Sequence, residues 1–344
     1  MSNSRSFQQI PIIDISMLYT KNHMEGQEKI VAAVKHAAEH VGFFYIKGHA
    51  IPSTTIQNLK HTAKHFFDIP MEDKMKSYIG KSSNHSGYVP EGEEQFYGAK
   101  VDKKEAFDVN FDAINTTFRR PMIGPNQWPD HPNFKNHVSA YYDQAFQLGK
   151  LMFKCFSLAL NLPENTFDDK LECPPNQLRL IYYPYDSEAV DKGGIGAHTD
   201  YECFTLLLPT ADGLEVLNGD GDWINAPFIE NTLVVNIGDM MEIISNGRFQ
   251  ATSHRVRNIK EERYSFPMFC TCDYDTLIEP MVESTSLSNT KYEAVRCGDH
   301  LYAQTIQTFQ YLKDRLSKGE ISLPESSKDT SSFGQLRDAL KGED

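Results

Sequence analysis

The stretch that decides the fold begins at Gly196-Ala197-His198-Thr199-Asp200 and ends at Arg263-Tyr264-Ser265. In an extended segment alternate side chains point the same way, so His198 and Asp200 project from one face of a strand while Thr199 points to the other. A second histidine, His254, follows 54 residues after Asp200, beyond enough strand-like sequence to cross a barrel and return. The pattern predicts two imidazoles and one carboxylate side by side.

Two histidines and one carboxylate on one face leave three positions of an octahedral metal free, which is the arrangement of non-haem iron(II) oxygenases. We therefore predict that His198, Asp200 and His254 bind a metal. The alternative for His198 and Asp200 is a hydrogen-bonded pair at a strand end. Further along, Arg263 offers a planar guanidinium and Ser265, on the same strand face, offers a hydroxyl, a combination that suits a carboxylate. The alternative for Arg263 is a surface ion pair.

The order of these motifs resembles the core of the 2-oxoglutarate and iron(II)-dependent dioxygenases, in the subfamily related to isopenicillin N synthase and to the flavonoid and gibberellin oxidases. The family pattern is His-x-Asp, a distal His and Arg-x-Ser, and all five functional positions are filled. The family also has an Asn-x-Tyr-Pro segment upstream, whose tyrosine holds the cosubstrate. Here that segment reads Ile181-Tyr182-Tyr183-Pro184, so Tyr183 matches and Ile181 replaces the asparagine.

The resemblance implies an enzyme that uses iron(II), 2-oxoglutarate and dioxygen. Arg263, Ser265 and Tyr183 are then expected to bind the far carboxylate of 2-oxoglutarate, which is converted to succinate and carbon dioxide while a small molecule is hydroxylated, desaturated or demethylated. One alternative is an oxidase of the same fold that needs no 2-oxoglutarate. The replacement of the family's asparagine by Ile181 favours this alternative. Another is a non-catalytic, metal-binding jelly roll, against which the intact ligand set argues.

Composition narrows the class of protein. The chain has 344 residues, of which 40% are hydrophobic and 24% charged, enough to bury a sizeable core. A net charge of −13 argues against nucleic acid or an anionic membrane as the main partner, and the resemblance implies a small-molecule substrate. Without a signal-peptide core or a membrane-length apolar run, a cytoplasmic location is expected. The six scattered cysteines are expected to be free thiols, and the protein a monomer or weak homo-oligomer.

The resemblance implies an α+β fold with a mainly β core, a double-stranded β-helix (jelly roll) with flanking helices, and the spacing of the short strands by itself predicts an antiparallel sandwich or a jelly roll. Short strands separated by turn residues between Phe204 and Asp239 favour this antiparallel architecture. We divide the chain into an N-terminal dioxygenase region with helices, a strand and substrate-mouth loops, the jelly-roll domain with its supporting helices, and a polar C-terminal tail. The boundaries are 1–130, 131–320 and 321–344.

Apolar residues at helical spacing predict four main helices. Their ranges are Gln27–Val41, a segment after Pro52, Asn133–Leu160 and about His300 to Leu316. Between Gln177 and His300 the sequence predicts strands alone. The last helix is expected to pack on the exterior of the barrel, and the run Ile10–Ile15 is expected to form an edge strand.

Seven residues are candidate substrate contacts. Tyr88, Phe107 and Asn110 lie in segments that resemble parts of the family near the substrate mouth. Tyr201, Leu206 and Phe269 are apolar or aromatic positions near the predicted site and suggest a partly apolar substrate. Glu202 follows the His-x-Asp-Tyr run, where the family more often has a small residue. The preferred interpretation of Glu202 is a solvated charge at a strand end, and the alternative is a carboxylate that faces a basic group on the substrate.

Overall fold

The computed structural model describes residues 6–20, 24–94, 104–113, 120–185, 193–257, 260–283 and 292–324. Its strands are, in chain order, β1 (Ile12–Asp14), β2 (Phe43–Lys47), β3 (Gly87–Val89), β4 (Glu105–Asn110), β5 (Gln177–Tyr183), β6 (Gly193–His198), β7 (Phe204–Pro209), β8 (Leu214–Leu217), β9 (Trp223–Ala226), β10 (Thr232–Ile237), β11 (His254–Arg257), β12 (Arg263–Cys270), β13 (Leu277–Ile278) and β14 (Val295–Arg296). The α-helices are α1 (Met24–His40), α2 (Ser53–Asp68), α3 (Met71–Lys74), α4 (Phe134–Ala159), α5 (Asp239–Ile244), α6 (Cys297–Thr308) and α7 (Gln310–Ser317). Short 3-10 helices cover Ser16–Tyr19, Met75–Ser77, Ile79–Lys81 and Asp168–Lys170.

Two sheets form the β core. The larger has eight strands in the order β1-β2-β10-β7-β12-β5-β4-β3, and the smaller has four in the order β6-β11-β8-β9. Phe43 and Val234 of the larger sheet share an apolar cluster with Leu214 and Val216 of the smaller one, which packs the two sheets together. This is the predicted double-stranded β-helix with flanking helices.

The predicted edge strand is confirmed, because β1 ends the larger sheet and pairs in parallel with β2 alone. Strands β1 to β4, from the predicted N-terminal region, and strands of the predicted jelly-roll region share this sheet. The domain boundaries at residues 130 and 320 stay predictions. Residues 325–344 of the predicted polar tail lie outside the described residues.

Helices cover the outer face of the larger sheet. The first three predicted helices are confirmed as α1, α2 and α4. Phe153 and Phe156 of α4 pack against Phe204 of β7, with ring centroids 4.9 and 5.1 Å apart. Such aromatic contacts fix the helix layer on the sheet and hold the strands that carry the site.

Two expectations about the helices were wrong. The catalytic half contains α5, whose six residues are too few to show helical periodicity in the sequence. The single helix predicted from His300 to Leu316 is two helices, because Phe309 takes an extended conformation (φ −93°, ψ 131°). Glu93 stabilises this break, since its backbone carbonyl accepts from the Gln310 amide and its carboxylate accepts from the Tyr311 amide, both at 2.8 Å. Among the described residues, the helices are all too short or too polar to cross a membrane.

Candidate active site

Strands of the smaller sheet bring the two predicted histidine ligands together. His198 ends β6 and His254 begins β11, and the two residues are direct partners in this antiparallel pair. Their ring centroids lie 4.3 Å apart. Oδ1 of Asp200, two residues beyond β6, lies 3.7 Å from Nε2 of His198 and 3.6 Å from Nε2 of His254. The three ligand atoms therefore surround a space that one metal ion would fill.

Hydrogen bonds orient each of these side chains. Nδ1 of His198 donates to the Gly196 carbonyl at 2.8 Å and Nδ1 of His254 donates to the Thr252 carbonyl at 3.3 Å, which leaves both Nε2 lone pairs facing the common space.

The carboxylate of Asp200 is fixed from the larger sheet. Its Oδ2 accepts hydrogen bonds from the hydroxyl of Thr205 on β7 and from the amide of Asn236 on β10, the latter at 2.7 Å. Its Oδ1 is thereby directed to the histidines. Sequence reasoning missed Thr205 and Asn236, although an asparagine within the apolar run of β10 was a signal of a buried polar contact.

The protonation states of the cluster suit a cation. Burial, with the neighbouring charge of His254 acting in the same direction, lowers the pKa of His198 to about 4. For Asp200, burial raises the pKa, but the charges of His254 and His198 outweigh burial and bring the pKa below its usual value. Neutral imidazole beside an ionised carboxylate is the state in which these groups bind a metal.

A second set of predicted residues meets on the larger sheet. Arg263 on β12 pairs in register with Tyr183 on β5, and Ser265 lies two residues further on β12. Arg263 is only 1% exposed, its guanidinium carbon lies 4.9 Å from the centre of the Tyr183 ring, and all three nitrogens lack a well-oriented hydrogen-bond partner among the described residues. Burial lowers the pKa of this guanidinium. The predicted alternative, a surface ion pair, is excluded by the burial of Arg263.

One cavity joins both sets of residues. It is lined by the three metal-ligand candidates and by Tyr183, Arg263 and Ser265. The donor set fits iron(II), and a buried guanidinium without a carboxylate partner fits the far carboxylate of 2-oxoglutarate. Ile181 also lines the cavity and contributes only an apolar side chain where the family has asparagine.

Three of the seven candidate substrate contacts line this cavity: Tyr201, Glu202 and Phe269. Glu202 is partly exposed to it, and burial followed by the charge of Asp200 raises the pKa of Glu202 to about 8. The preferred interpretation of Glu202 as a solvated strand-end charge is corrected, because this residue lines the cavity and is only partly exposed.

The other four candidates are core residues and do not line the cavity. Tyr88 and Phe107 are cross-strand partners that face Phe66 of α2, at ring distances of 6.0 and 5.1 Å. Leu206 is fully buried, while its neighbours Thr205 and Leu207 line the cavity. Asn110 is buried and donates hydrogen bonds to the carbonyls of Asn84 and His85. Phe107 and Leu206 do not line the cavity because successive residues of a strand face opposite sides of the sheet, and these two face the core side.

Sequence reasoning also missed a buried ionic cluster in the cavity wall, which we call the Arg179 cluster. It consists of Glu94, Lys104, Asp108 and Arg179. Arg179 donates to Asp108 at 2.7 and 2.9 Å and to Glu94 at 2.6 Å, and Lys104 lies 2.8 Å from Glu94. No signal in the sequence pairs residues so far apart.

The C-terminal helices complete the wall of the cavity. Thr305 and Thr308 of α6, and Phe309 at the break between α6 and α7, all line it. This helical segment, which was expected to pack on the exterior of the barrel, therefore also lines the cavity. His85 contacts the same segment, with its Nδ1 2.6 Å from the Tyr311 hydroxyl and its ring 4.4 Å from that of Phe309.

Two family models match this chain. Residues 10–131 match a model described as the N-terminal region of the non-haem dioxygenase in morphine synthesis, and residues 174–271 match the 2OG-Fe(II) oxygenase superfamily. A homoarginine-6-hydroxylase of Oryza sativa subsp. japonica is 34% identical over 324 residues, which cover 88% of this chain and 98% of that protein. A 2-oxoglutarate-Fe(II) type oxidoreductase of Emericella nidulans is 33% identical, over 75% of this chain and 78% of its own length.

Similar solved structures include proteins of the same family. A full-length Neurospora crassa protein, crystallised in complex with alpha-KG and thymine, superposes with a TM-score of 0.74 at 27% identity and covers 90% of this chain and 97% of that one. A 2OG-Fe(II) oxygenase family protein from Caulobacter crescentus gives a TM-score of 0.74 at 28% identity, over 91% and 99% of the two chains. The chain therefore belongs to the 2OG-Fe(II) oxygenase superfamily, in its isopenicillin N synthase-like subfamily, and is an iron(II) and 2-oxoglutarate-dependent dioxygenase.

Proposed function

We propose that His198, Asp200 and His254 bind the iron(II) of this dioxygenase, and that Arg263, Ser265 and Tyr183 bind the far carboxylate of its 2-oxoglutarate. The observation that carries the proposal is the guanidinium of Arg263, which is buried in the wall of the same cavity as the metal-ligand candidates and has no carboxylate partner in the described part of the chain. A permanently charged group that is buried in this way requires an anion.

With iron bound, dioxygen oxidises 2-oxoglutarate to succinate and carbon dioxide while one oxygen atom enters a C–H bond of the substrate. The chain's own residues position these reactants. Thr205 and Asn236 fix the carboxylate of Asp200, so that one oxygen is held and the other faces the metal position. The planar guanidinium of Arg263 can bind a carboxylate through two parallel hydrogen bonds, which sets the orientation of the cosubstrate.

Apolar residues keep water from the reaction. Leu207, Val256 and Pro267 line the same cavity as the metal-ligand candidates and Arg263. A dry site strengthens every charge interaction inside it and protects reactive species from side reactions. We assign these three residues the role of excluding water.

The proposed substrate is a small, nitrogen-containing molecule that is hydroxylated. The rice relative is named as a homoarginine-6-hydroxylase, and the Neurospora structure contains thymine, so two similar proteins handle small nitrogenous compounds. We further propose that the chain works in the cytoplasm as a monomer or weak homo-oligomer, without a nucleic-acid or membrane partner. The six free cysteines, five of them buried, support a reducing compartment.

The test measures succinate and dissolved oxygen after the purified protein is loaded with iron(II) and supplied with 2-oxoglutarate and candidate nitrogenous substrates. The wild-type protein should form succinate in step with oxygen uptake. His198→Ala should lose iron binding and reduce succinate formation by more than about 100-fold, because even the loss of an outer-shell partner of a metal ligand costs about 10–100-fold. His61→Ala, an exposed histidine on α2, is the matched control and should behave as wild type.

Unchanged succinate formation in His198→Ala would contradict the ligand assignment. Oxygen uptake without succinate would instead favour the isopenicillin N synthase-like oxidase, for which the apolar Ile181 in the cavity wall is the supporting observation.

A further inference from the structure

The cavity has a direction that the two central strands define. Cavity-lining residues alternate along β12 (Arg263, Ser265, Pro267, Phe269) and along β5 (Tyr183, Ile181, Arg179, Gln177). The register pairs Arg263 with Tyr183 at one end and Phe269 with Gln177 at the other. At about 3.3 Å per residue, the six steps from Arg263 to Phe269 span roughly 20 Å. The cavity is thus long enough for a cosubstrate end at Arg263 and a substrate end at Phe269.

The charges of the cosubstrate end balance under the proposed function. The two positive charges of iron(II) and the one of Arg263 match the one negative charge of Asp200 and the two of 2-oxoglutarate. Nothing at this end therefore calls for a charged substrate.

At the substrate end the Arg179 cluster is neutral by itself. Arg179 and Lys104 supply two positive charges, and Asp108 and Glu94 supply two negative ones. All four side chains are at most 8% exposed. This cluster also leaves no net charge for a ligand to neutralise.

Glu202 is the carboxyl group that remains, and a cation bound beside it would stabilise its ionised form against the burial that raises its pKa. It lines the cavity, and among the described residues it takes part in no ion pair. The guanidinium of Arg179 acts on it electrostatically but is already bound to two other carboxylates. Three rings, those of Tyr201, Phe269 and Phe309, line the same cavity and offer faces that attract cations.

We propose that Glu202 binds a cationic group of the substrate, an ammonium or a guanidinium, and makes this dioxygenase select cations over neutral molecules of the same shape. The inference rests on the proposed function, since it assumes that the other end of the cavity holds iron and 2-oxoglutarate. It assigns substrate specificity to Glu202, and it adds a positive charge to the expected, partly apolar substrate.

The experiment compares pairs of ligands that differ in charge and little in shape: homoarginine with homocitrulline, arginine with citrulline, and lysine with norleucine. Binding is measured by calorimetry on protein loaded with iron(II) and 2-oxoglutarate under anaerobic conditions, so that no turnover occurs. At least one cation should bind the wild-type protein about tenfold or more tightly than its neutral partner. Glu202→Gln should bind that cation about 30-fold or more weakly than the wild type, because one partner of a buried charge pair is removed.

Control variants separate recognition from damage to the fold. Glu202→Gln should keep the iron content and 2-oxoglutarate affinity of the wild type. Glu202→Asp, which preserves the charge, should keep the preference for the cation. Glu72→Gln, an exposed glutamate on α3, should change none of the affinities.

Two results overturn the inference. One is the absence of a preference for the cation in all three pairs, and the other is an equal loss of cationic and neutral ligands in Glu202→Gln. If the wild-type protein fails to bind iron or 2-oxoglutarate at all, the proposed function fails instead, and the same calorimeter reports this before any substrate is added.

Discussion

Two arginines are buried in the wall of the same cavity, on neighbouring strands, and their surroundings are opposite. Arg179 on β5 bonds to Asp108 and Glu94, and these charges raise the pKa of its guanidinium. Arg263 on β12 has no carboxylate partner among the described residues, and burial lowers its pKa. Each guanidinium lies over an aromatic ring, at 5.3 Å from Phe309 and 4.9 Å from Tyr183. The contrast separates a buried arginine that is paired with carboxylates from a buried arginine that we propose binds a ligand.

Removing Arg179 should damage the fold most. Arg179→Met leaves the carboxylates of Asp108 and Glu94 buried without their main partner, so the free energy of unfolding should fall by about 3–5 kcal/mol. Chemical denaturation measures this loss. The matched control is Arg120→Met, which breaks an exposed pair with Asp275 and should cost about 0–1 kcal/mol. Equal losses in the two variants would remove the contrast between a structural arginine and an ordinary surface pair.

Removing Arg263 should affect ligand binding and spare the fold. Arg263→Met should weaken 2-oxoglutarate binding by about 2–5 kcal/mol while iron affinity is retained. Arg263→Lys keeps the charge but loses the planar fork, so its affinity for 2-oxoglutarate should also fall. Calorimetry gives the affinities, and thermal unfolding of the metal-free protein gives the stability, which should not decrease in Arg263→Met. A loss of stability as large as that of Arg179→Met would make Arg263 a structural residue too.

Asn236→Ala should weaken the metal end of the cavity. The substitution removes one of the two hydrogen bonds that fix Asp200, so iron(II) affinity should fall by about 10–100-fold. Competition with a chelator of known affinity measures the change. Asn225→Ala, at an exposed position on β9, is the control. Normal iron affinity in Asn236→Ala would mean that Thr205 alone fixes the carboxylate.

His85, in the cavity wall, should make the free energy of unfolding depend on pH. Burial lowers the pKa of His85 to about 3, from an ordinary value of 6.5. The unfolded chain therefore binds a proton first, and stability falls as the pH falls from about 6.5 to about 3. His85→Gln should remove about 2 kcal/mol of the destabilisation at pH 5 relative to pH 8, and His61→Gln should not. If the free energy of unfolding falls equally between pH 8 and pH 5 in the wild type and in His85→Gln, His85 does not contribute to the pH dependence.

Sequence reasoning could find the cosubstrate end because its signals are local. Arg263 and Ser265 are two residues apart on one face of β12, and His198 and Asp200 have the same spacing at the end of β6, where an extended chain directs alternate side chains to one side. The resemblance to a family with a distal histidine then connected His254 to the pair. In the structure, the register of β6 and β11 places His254 directly opposite His198.

The substrate end could not be predicted in the same way. The Arg179 cluster joins residues from three separate segments, and no local sequence pattern predicts that these residues form ion pairs. The prediction that Phe107 and Leu206 contact the substrate required each side chain to lie on the cavity face of its strand. Both side chains lie on the other face, which the helices bury, so burial alone does not distinguish the two faces. The extended residue Phe309 depends on a hydrogen bond from Gln310 to distant Glu93.

The order of strands in the larger sheet also determines when the protein can acquire its metal. β2 pairs with β1 and with β10, and β10 pairs with β7, so β2 can complete its pairing only after Thr232–Ile237 has left the ribosome. The histidine pair requires His254, and the proposed binding site for the cosubstrate requires Ser265. Such non-local pairing slows folding and exposes unpaired strand edges meanwhile. Iron loading is consequently a late event in biogenesis, which can begin only after most of the chain has been translated.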